Sequence, residues 1–400
     1  MGLRGEAAIV GIAELKPERR PQGPPKFTLE QWSDLAKMAL DDAGIPVGAV
    51  NGICSSSSIR EASMFVPATI AEYLGTKVNL AEVVDLGGAT SCGMVWRAAA
   101  AIELGIADVV VCATPSLPSP PPPNTGPMRA GMGFGASSGA WGSPQAEFDI
   151  PYGNLAQNCG YAMIAQRYGA EFGYDPRAMA KIAVDQRTSA LSNPNAIFFG
   201  QPITIEDVLE SPMIADPLHM LEIVMPVSGG AAVVVASKEW AQKAKSRPAW
   251  IKGFGEHLTI KTPTYADDLV HTPVGPASNQ AFTMAGIKRS DIDACELYDC
   301  YTITALLTIE DAGFCAKGDG ARFINEHDLT FKGNFPVNTH GGQLSFGQAG
   351  LAGGMSQVVE GARQIMRKAN GNQMAKCDTV FVSGTGGVMS EQAALIFQGD

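Results

Sequence analysis

Hydrophobic and polar residues alternate along the chain in short segments that predict strands and helices in turn. Continuous apolar runs at Ala7–Ile12, Ala107–Ala113 and Gly229–Ser237 are typical of strands that are buried on both faces. Apolar residues at helical spacing predict a helix over Thr28–Ala43 and another over about Thr90–Leu104. Strands that alternate with helices at this spacing predict a parallel, layered α/β architecture.

Two stretches of the first half recur in the same order later in the chain. The segment around Ala43-Gly44-Ile45 recurs around Ala285-Gly286-Ile287, and the apolar strand near residue 110 recurs near residue 380. In each case a helix ends at glycine and a short polar step leads to a strand, which indicates a duplicated unit. We therefore predict two halves, residues 1–247 and 248–400. Segments rich in Pro, Gly, Ala and Ser predict an insertion at about 115–215 in the first half.

Composition narrows the class of function. Apolar residues make up 46% of the chain and charged residues 17%, so a large core can be buried. The net charge of −11 disfavours nucleic acid and anionic membranes as partners, although a local basic cluster could still bind coenzyme A. The eight cysteines are scattered without a Cys-x-x-Cys pair, which predicts a reduced, cytoplasmic protein without a metal site. No apolar run is long enough to predict a membrane span.

The stretch from Asn338 to Gly354 combines an Asn-x-x-Gly-Gly motif with further glycines and opens into a segment with helical spacing. Glycines allow sharp turns and a close approach of the backbone to a ligand. A glycine-rich loop before a helix also directs free N–H groups at one point, which suits an oxyanion. A tight structural turn explains the same spacing, and the pattern alone leaves both interpretations open.

This stretch resembles the C-terminal active-site loop of the thiolase superfamily, in the branch of sterol-carrier and lipid-transfer-protein thiolases. The resemblance covers nearly the whole chain. It implies an α/β thiolase fold of two similar βαβαβαββ halves, stacked as five layers (αβαβα) with an inserted loop domain. The chain departs from the family at two positions, since Gln348 replaces the catalytic histidine and Ala349 the following proline.

Thiolases need a cysteine nucleophile at a helix N-terminus and a second cysteine for proton transfer. Spacing within the family motifs places Gly88 at the nucleophile and Ser383 at the second cysteine. Cys92 lies four residues after Gly88, where it is either a core thiol or a nucleophile brought in by a shifted loop. An ordinary thiolase reaction is therefore not expected from the motif positions themselves.

Other titratable side chains lie in the segments that resemble the thiolase motifs. In the stretch Glu296–Tyr301, Tyr298 takes the position that faces the substrate in the family. Its phenol is either a packed tyrosine or a general acid or base with a pKa lowered by its neighbours. His340 on the glycine loop is either a loop hydrogen-bonding group or a base. Tyr301 is a candidate substrate-binding residue.

The loss of the cysteines together with a tyrosine in this motif is similar to the steroid side-chain aldolases of the lipid-transfer-protein branch. The resemblance implies retro-aldol cleavage of a β-hydroxyacyl-CoA in a degradation pathway, with coenzyme A thioester as substrate and no cofactor bound by the chain. Tyr298 would be the base and Gln348 would position the substrate. His340 and the backbone near Gly341, Gly342 and Gly386 would hold the enolate.

Two alternatives stay open at this point. A divergent 3-oxoacyl-CoA thiolase would use Cys92 on a bulky or aromatic substrate such as benzoylsuccinyl-CoA, and it would need free coenzyme A. A non-catalytic acyl-CoA-binding subunit would show no change of rate on Tyr298→Phe. The resemblance also implies a homodimer and a small zinc-ribbon/OB-fold partner of the DUF35 type.

Overall fold

Strands and helices alternate throughout the residues that the computed structural model describes, which are 5–62, 64–120, 142–154, 156–259 and 263–400. The strands are β1 (Ala7–Glu14), β2 (Gly52–Ser56), β3 (Leu80–Val84), β4 (Val109–Ser116), β5 (Met213–Ala215), β6 (Leu218–His219), β7 (Gly229–Ser237), β8 (Ala249–Leu258), β9 (Ala294–Glu296), β10 (Thr379–Gly386) and β11 (Glu391–Gln398). The helices are α1 (Thr28–Ala43), α2 (Val66–Leu74), α3 (Thr90–Glu103), α4 (Gln157–Phe172), α5 (Pro176–Ala190), α6 (Ile205–Leu209), α7 (Lys238–Ala241), α8 (Val274–Ala285), α9 (Thr302–Asp311), α10 (Gly320–Glu326), α11 (Gly342–Ser345) and α12 (Ala352–Ile365).

Nine strands form one sheet with two similar arms, in the order β3-β2-β4-β7-β1-β8-β11-β10-β9. The arms meet where β1 pairs with β8, with Ala8 opposite Trp250. The order β1-β7-β4-β2 in one arm corresponds to β8-β11-β10-β9 in the other. The duplicated thiolase-type α/β fold predicted from the sequence is confirmed, while the division at residues 247 and 248 stays a prediction.

The prediction of a parallel sheet holds only for the outer strands. The pairs β2–β3, β2–β4 and β9–β10 are parallel, whereas β1, β7, β8 and β11 run antiparallel to their neighbours. The reason is local for β10 and β11, because the short turn between them can join only antiparallel strands. The sheet is therefore mixed, and apolar runs alone do not distinguish the two pairings.

Helices α3 and α12 pack against each other and lie between the two arms of the sheet. Their apolar faces share one core with the inner faces of β4, β7, β10 and β11. Helix α1 covers the outer face of the first arm, and α8 covers β8 and β11 of the second. This arrangement gives the five layers expected from the resemblance, and it brings the N-termini of α3 and α12 close together.

The matching helix ends of the two halves have the same conformation. Gly44 ends α1 at φ 73°, and Gly286 ends α8 at φ 68°. Only glycine adopts this left-handed conformation without strain, which explains why both positions carry it. The Pro-rich and Gly-rich part of the predicted insertion, at 121–141, lies outside the described residues. Its remainder is largely helical and contains α4, α5 and α6.

No helix within the described ranges combines the length and the apolar character that a membrane span requires.

Candidate active site

A small cavity of about 230 Å³ lies where the N-termini of α3 and α12 approach each other. Its walls are made by the residues before these two helices, by α4 and by the ends of β9 and β10. The lining residues are Gly87, Gly88, Gln157, Tyr161, Tyr298, Cys300, Gln348, Gly350, Leu351, Thr385 and Gly387. None of these side chains carries a formal charge at neutral pH.

Tyr298 and Gln348 form the polar centre of this cavity. The Gln348 side-chain amide donates a hydrogen bond of 2.8 Å to the Tyr298 hydroxyl oxygen. Because Gln348 is the donor, the phenol keeps its own proton for another acceptor. Gln348 is held in turn by its backbone, which donates to the Met225 carbonyl at 2.9 Å and accepts from the Val227 N–H at 3.0 Å. The cavity thus presents a fixed phenol O–H.

The end of the Tyr298 ring occupies the space in which a side chain at position 88 would lie. A Cβ atom on Gly88 would fall well inside van der Waals contact with Cζ and the hydroxyl oxygen of Tyr298, and with the carbonyl oxygen of Thr385. A side chain at position 88 is therefore excluded both by the Tyr298 phenol and by the backbone carbonyl of Thr385. These contacts give a physical reason for the glycine at position 88, which the resemblance assigns to the nucleophile.

Two helix N-termini point at the cavity. Gly87 and Gly88 precede α3, and Gly350 and Leu351 precede α12. Each helix is 14 residues long, so its first N–H groups and its dipole provide partial positive charge. The cavity can therefore stabilise an anion although it contains no cationic side chain.

Burial controls the protonation state of the phenol. Tyr298 is 5% exposed, and burial raises its pKa above the ordinary value of 10, an effect that the hydrogen bond from Gln348 offsets only in part. The lowered pKa considered from the sequence is thus not what the surroundings produce. The resting form at neutral pH is the neutral phenol, which acts as a hydrogen-bond donor.

The glycine loop is fixed by the same segment that carries Tyr298. The Asp299 carboxylate accepts hydrogen bonds from the N–H groups of Gln343 (2.9 Å) and Leu344 (3.1 Å). Burial raises the pKa of Asp299 to about 6. A Cβ on Gly342 would overlap the carboxylate, and both Gly341 and Gly342 have positive φ. These two glycines form the turn beneath the cavity and do not line it.

His340 lies in a buried network of charges instead of in the cavity. Its Nδ1 is 3.5 Å from a carboxylate oxygen of Glu296, and its Nε2 donates to Ser356 at 3.2 Å. Ser356 donates to Glu14, and Arg363 pairs with Glu14 and with Glu360. Burial alone would lower the pKa of His340, but the nearby carboxylates outweigh it and raise the pKa. The imidazole is fully buried and does not line the small cavity.

Cys92 is also separated from the cavity. It is fully buried on α3 within the core shared by both arms of the sheet. Burial, with a smaller effect from Glu256, raises the pKa of its thiol to about 12. A buried, protonated thiol that lines neither cavity lacks the properties of a nucleophile.

The remaining predicted residues lie around the site in different ways. Ser383 is buried on β10, and its hydroxyl has no hydrogen-bond partner among the described residues. Gly386 packs against the carbonyl oxygen of Leu86, beside the cavity and not in its wall. Tyr301 lines the neighbouring larger cavity and donates to Asn158 at 2.5 Å. The structure therefore brings together Tyr298, Gln348 and Gly88, with Tyr301 next to them.

A larger cavity of about 420 Å³ adjoins the small one, and Gln157, Cys300 and Gln348 line both. Most of its wall is apolar, including Ile214, Met220 and Leu221. Its volume lies within the range of small-molecule sites, which is about 300–1,000 Å³. Arg187 also lines it, and no sequence motif marks that residue.

Within the described ranges, His, Cys, Asp and Glu side chains form no group of three that could hold a metal ion.

Comparison with known proteins supplies a family context for this geometry. Residues 255–399 match the family model described as "Thiolase C-terminal domain-like". The chain is 32% identical over 392 residues to a steroid side-chain-cleaving aldolase from Thermomonospora curvata, with 96% of each chain covered. It is also 32% identical over 400 residues to the 17-hydroxy-3-oxo-4-pregnene-20-carboxyl-CoA lyase of Mycobacterium tuberculosis, covering 96% of this chain and 97% of the other.

A solved structure named Ltp2-ChsH2(DUF35) aldolase superposes with a TM-score of 0.85 at 31% sequence identity. The match covers 100% of this chain and 99% of the other. The similarity to aldolases thus extends over the full length in sequence and in structure.

Proposed function

The chain belongs to the thiolase superfamily, in its sterol-carrier and lipid-transfer-protein branch, and we propose that it cleaves a steroid acyl-CoA with Tyr298 as the proton-transferring residue. It is a thiolase-like acyl-CoA carbon–carbon lyase of the aldolase type. The relative from Mycobacterium tuberculosis acts by its name on a 17-hydroxy-3-oxo-4-pregnene-20-carboxyl-CoA. We propose a substrate of this class, a β-hydroxyacyl-CoA on a steroid skeleton, for the present chain.

One observation supports the proposal: the end of the Tyr298 phenol lies where a side chain would begin at Gly88, the position that the resemblance assigns to the nucleophile, and the Tyr298 hydroxyl lines the cavity while accepting a hydrogen bond from Gln348. Without a thiol in that space, no acyl-enzyme can form by the usual thiolase route. Retro-aldol cleavage needs no such intermediate. It requires only that a proton leave the β-hydroxyl group and that the thioester enolate be stabilised.

We propose that the neutral phenol relays the proton. The β-hydroxyl proton passes to the Tyr298 oxygen while the bond between the α- and β-carbons breaks and the β-carbon becomes a ketone. The bonding electrons move into the thioester enolate, and the phenol proton goes to the α-carbon. Tyr298 ends as it began, so the raised pKa of its hydroxyl is no obstacle. The products are a ketone and a shortened acyl-CoA, and no free coenzyme A is consumed.

The enolate oxygen would lie where the N-termini of α3 and α12 converge. The N–H groups of Gly350 and Leu351 have no hydrogen-bond acceptor among the described residues, and both residues line the cavity. We assign these groups the role that the sequence suggested for Gly341, Gly342, Gly386 and His340. Gln348 would keep the phenol oriented towards the reacting carbons.

The apolar cavity beside this centre would hold the steroid rings. Its volume and its apolar walls suit a rigid hydrocarbon skeleton, and it opens directly onto Gln348. The Ltp2-ChsH2(DUF35) aldolase is by its name a complex with a DUF35 protein. We propose a partner of the same type for this chain, and the homodimer and the cytoplasmic location stay predictions.

The test is product formation from 17-hydroxy-3-oxo-4-pregnene-20-carboxyl-CoA without added coenzyme A. The chain is assayed alone and together with a DUF35-type subunit. We expect equal amounts of a steroid ketone and of a shortened acyl-CoA, identified by mass spectrometry. A reaction that proceeds only when free coenzyme A is added would contradict the proposal and indicate thiolysis.

A further inference from the structure

Arg187 is a buried arginine to which the described part of the chain offers no acidic partner. It lies on α5 and is 5% exposed. Its Nε donates to Ser345 Oγ at 3.0 Å and one terminal nitrogen donates to the Gln201 carbonyl at 3.1 Å. The guanidinium stacks on Phe198 with its central carbon 3.7 Å from the ring centroid. No carboxylate of the described residues forms an ion pair with it.

An unpaired charge at such a position is costly. A buried cation is normally accompanied by a carboxylate, because burial removes the hydration that stabilises it. Burial and the charge of Arg19 lower the pKa of Arg187 to about 10, so it remains protonated at neutral pH. A guanidinium has five N–H donors, and the contacts above use two of them. Donors therefore remain for an acceptor that the described residues do not provide.

The position of Arg187 indicates where that acceptor would come from. The side chain lines the larger cavity, whose other walls are mostly apolar, and it does not line the small cavity around Tyr298. Gln348 lines both cavities and bonds the Tyr298 hydroxyl. A ligand that reacts at Tyr298 and extends past Gln348 would thus place its remote part near Arg187.

We infer that Arg187 is a specificity-determining residue, which donates a hydrogen bond to an oxygen that the acyl group carries away from its thioester. This inference rests on the proposed function. For the steroid substrate proposed above, that oxygen is the 3-oxo group, at the opposite end of the ring system from the 17-hydroxy group. The guanidinium lies over the Phe198 ring, and this stacking fixes its orientation. A guanidinium with a fixed orientation suits a directed hydrogen bond to a keto oxygen.

The experiment compares two acyl-CoA substrates that differ only in the presence of the 3-oxo oxygen. We expect the wild-type protein to prefer the 3-oxo substrate by about 10- to 100-fold in kcat/KM, the value of one hydrogen bond from a charged donor. Arg187→Met should abolish this preference, and Arg187→Lys should retain part of it. Arg19→Met is the matched control, because Arg19 contacts the same Phe198 ring but lines neither cavity.

Two outcomes would overturn the inference. One is a wild-type protein that does not distinguish the two substrates. The other is an Arg187→Met variant that loses activity on both substrates equally, since the residue would then act on the coenzyme A part or on the fold. Titration with coenzyme A alone tests the second outcome. If Arg187 acts only on the remote oxygen, the Arg187→Met variant should bind coenzyme A as tightly as the wild-type protein does.

A direct binding measurement keeps the inference separate from the proposed function. If neither substrate is turned over, the proposed function fails, and calorimetry with the free steroid ketone and its analogue without the 3-oxo oxygen decides on Arg187. We expect the wild-type protein to bind the 3-oxo ketone about 10- to 100-fold more tightly, and Arg187→Met to bind both alike. Equal binding by the wild-type protein, or no binding of either, contradicts the inference.

Discussion

Glu296 and Tyr298 are separated by one residue, yet their side chains face two different environments. Glu296 points into the buried network of His340, Glu360 and Thr339, where nearly every group is charged or bonded to a charge. Tyr298 points into a cavity whose lining carries no formal charge. The comparison indicates that the charged groups hold the glycine loop in place, while neutral groups and helix N-termini face the cavity.

Tyr298→Phe tests the neutral side of this comparison and should have the largest effect. Removing the hydroxyl eliminates the proton relay, and we expect kcat to fall by about 100- to 10,000-fold. Stability should fall by only about 0.5–1.5 kcal/mol, the value of the lost bond to Gln348. The matched control is Tyr168→Phe, which removes a buried hydroxyl bonded to Glu310 outside both cavities. An unchanged kcat in Tyr298→Phe would favour a non-catalytic subunit.

Gly88→Ala tests whether the phenol needs the space above this glycine. The added methyl group would overlap the Tyr298 ring and force it to move, and we expect a loss of about 100-fold in kcat/KM. Gly275→Ala is the control, since the nearest atom to its added Cβ lies at 3.4 Å. The Gly88→Ala, Tyr298→Ala double variant should stay inactive and remain less stable than Tyr298→Ala alone, because the added methyl group also overlaps the Thr385 carbonyl oxygen. Wild-type activity in Gly88→Ala would contradict the geometry.

His340→Gln tests the buried network of charged groups. Removing the imidazole from among buried carboxylates should lower the free energy of unfolding by about 3–5 kcal/mol. Because the pKa of His340 is raised above 6.5, its contribution is complete below pH 6.5 and is lost as the pH rises through the raised value. Urea denaturation should therefore show a fall of wild-type stability above pH 6.5 that is weaker in the variant. Equal pH dependence, or a kcat abolished in folded His340→Gln, would argue against a structural role.

Cys92→Ala should have the smallest effect. The thiol is buried in the core and protonated, so we expect kcat to be unchanged and stability to fall by about 1 kcal/mol. Rates in the presence and absence of free coenzyme A provide the measurement. Complete loss of activity would support the divergent thiolase that the sequence left open.

Repetition made much of the fold predictable. The glycines that end α1 and α8, and the polar steps that lead into β2 and β9, are local features that recur in both halves. Helix α3 begins where the spacing predicted, at Thr90. The pairing of the central strands was not predictable in this way, because β1 and β7 are apolar runs whose direction depends on distant partners.

The site likewise has features that the local sequence predicts and features that depend on contacts between distant residues. The motif position of Tyr298 was readable, because the resemblance supplied it. The mutual exclusion of a side chain at Gly88 and the phenol depends on contact between residues 210 positions apart (298 minus 88), and no local pattern encodes it. The direction of His340 likewise depends on Glu296 and Ser356, which are brought together by the fold. Arg187 carries no motif, and its lack of a carboxylate is visible only in three dimensions.

Intact-protein mass spectrometry during turnover tests the central claim most directly, namely that a neutral phenol in the nucleophile's place cleaves the substrate without an acyl-enzyme. The chain is sampled while steroid ketone accumulates from the 17-hydroxy acyl-CoA. We predict that the protein keeps its unmodified mass at every time point. A mass increase equal to the acyl group, mapped to Cys92 or another cysteine, would contradict the account.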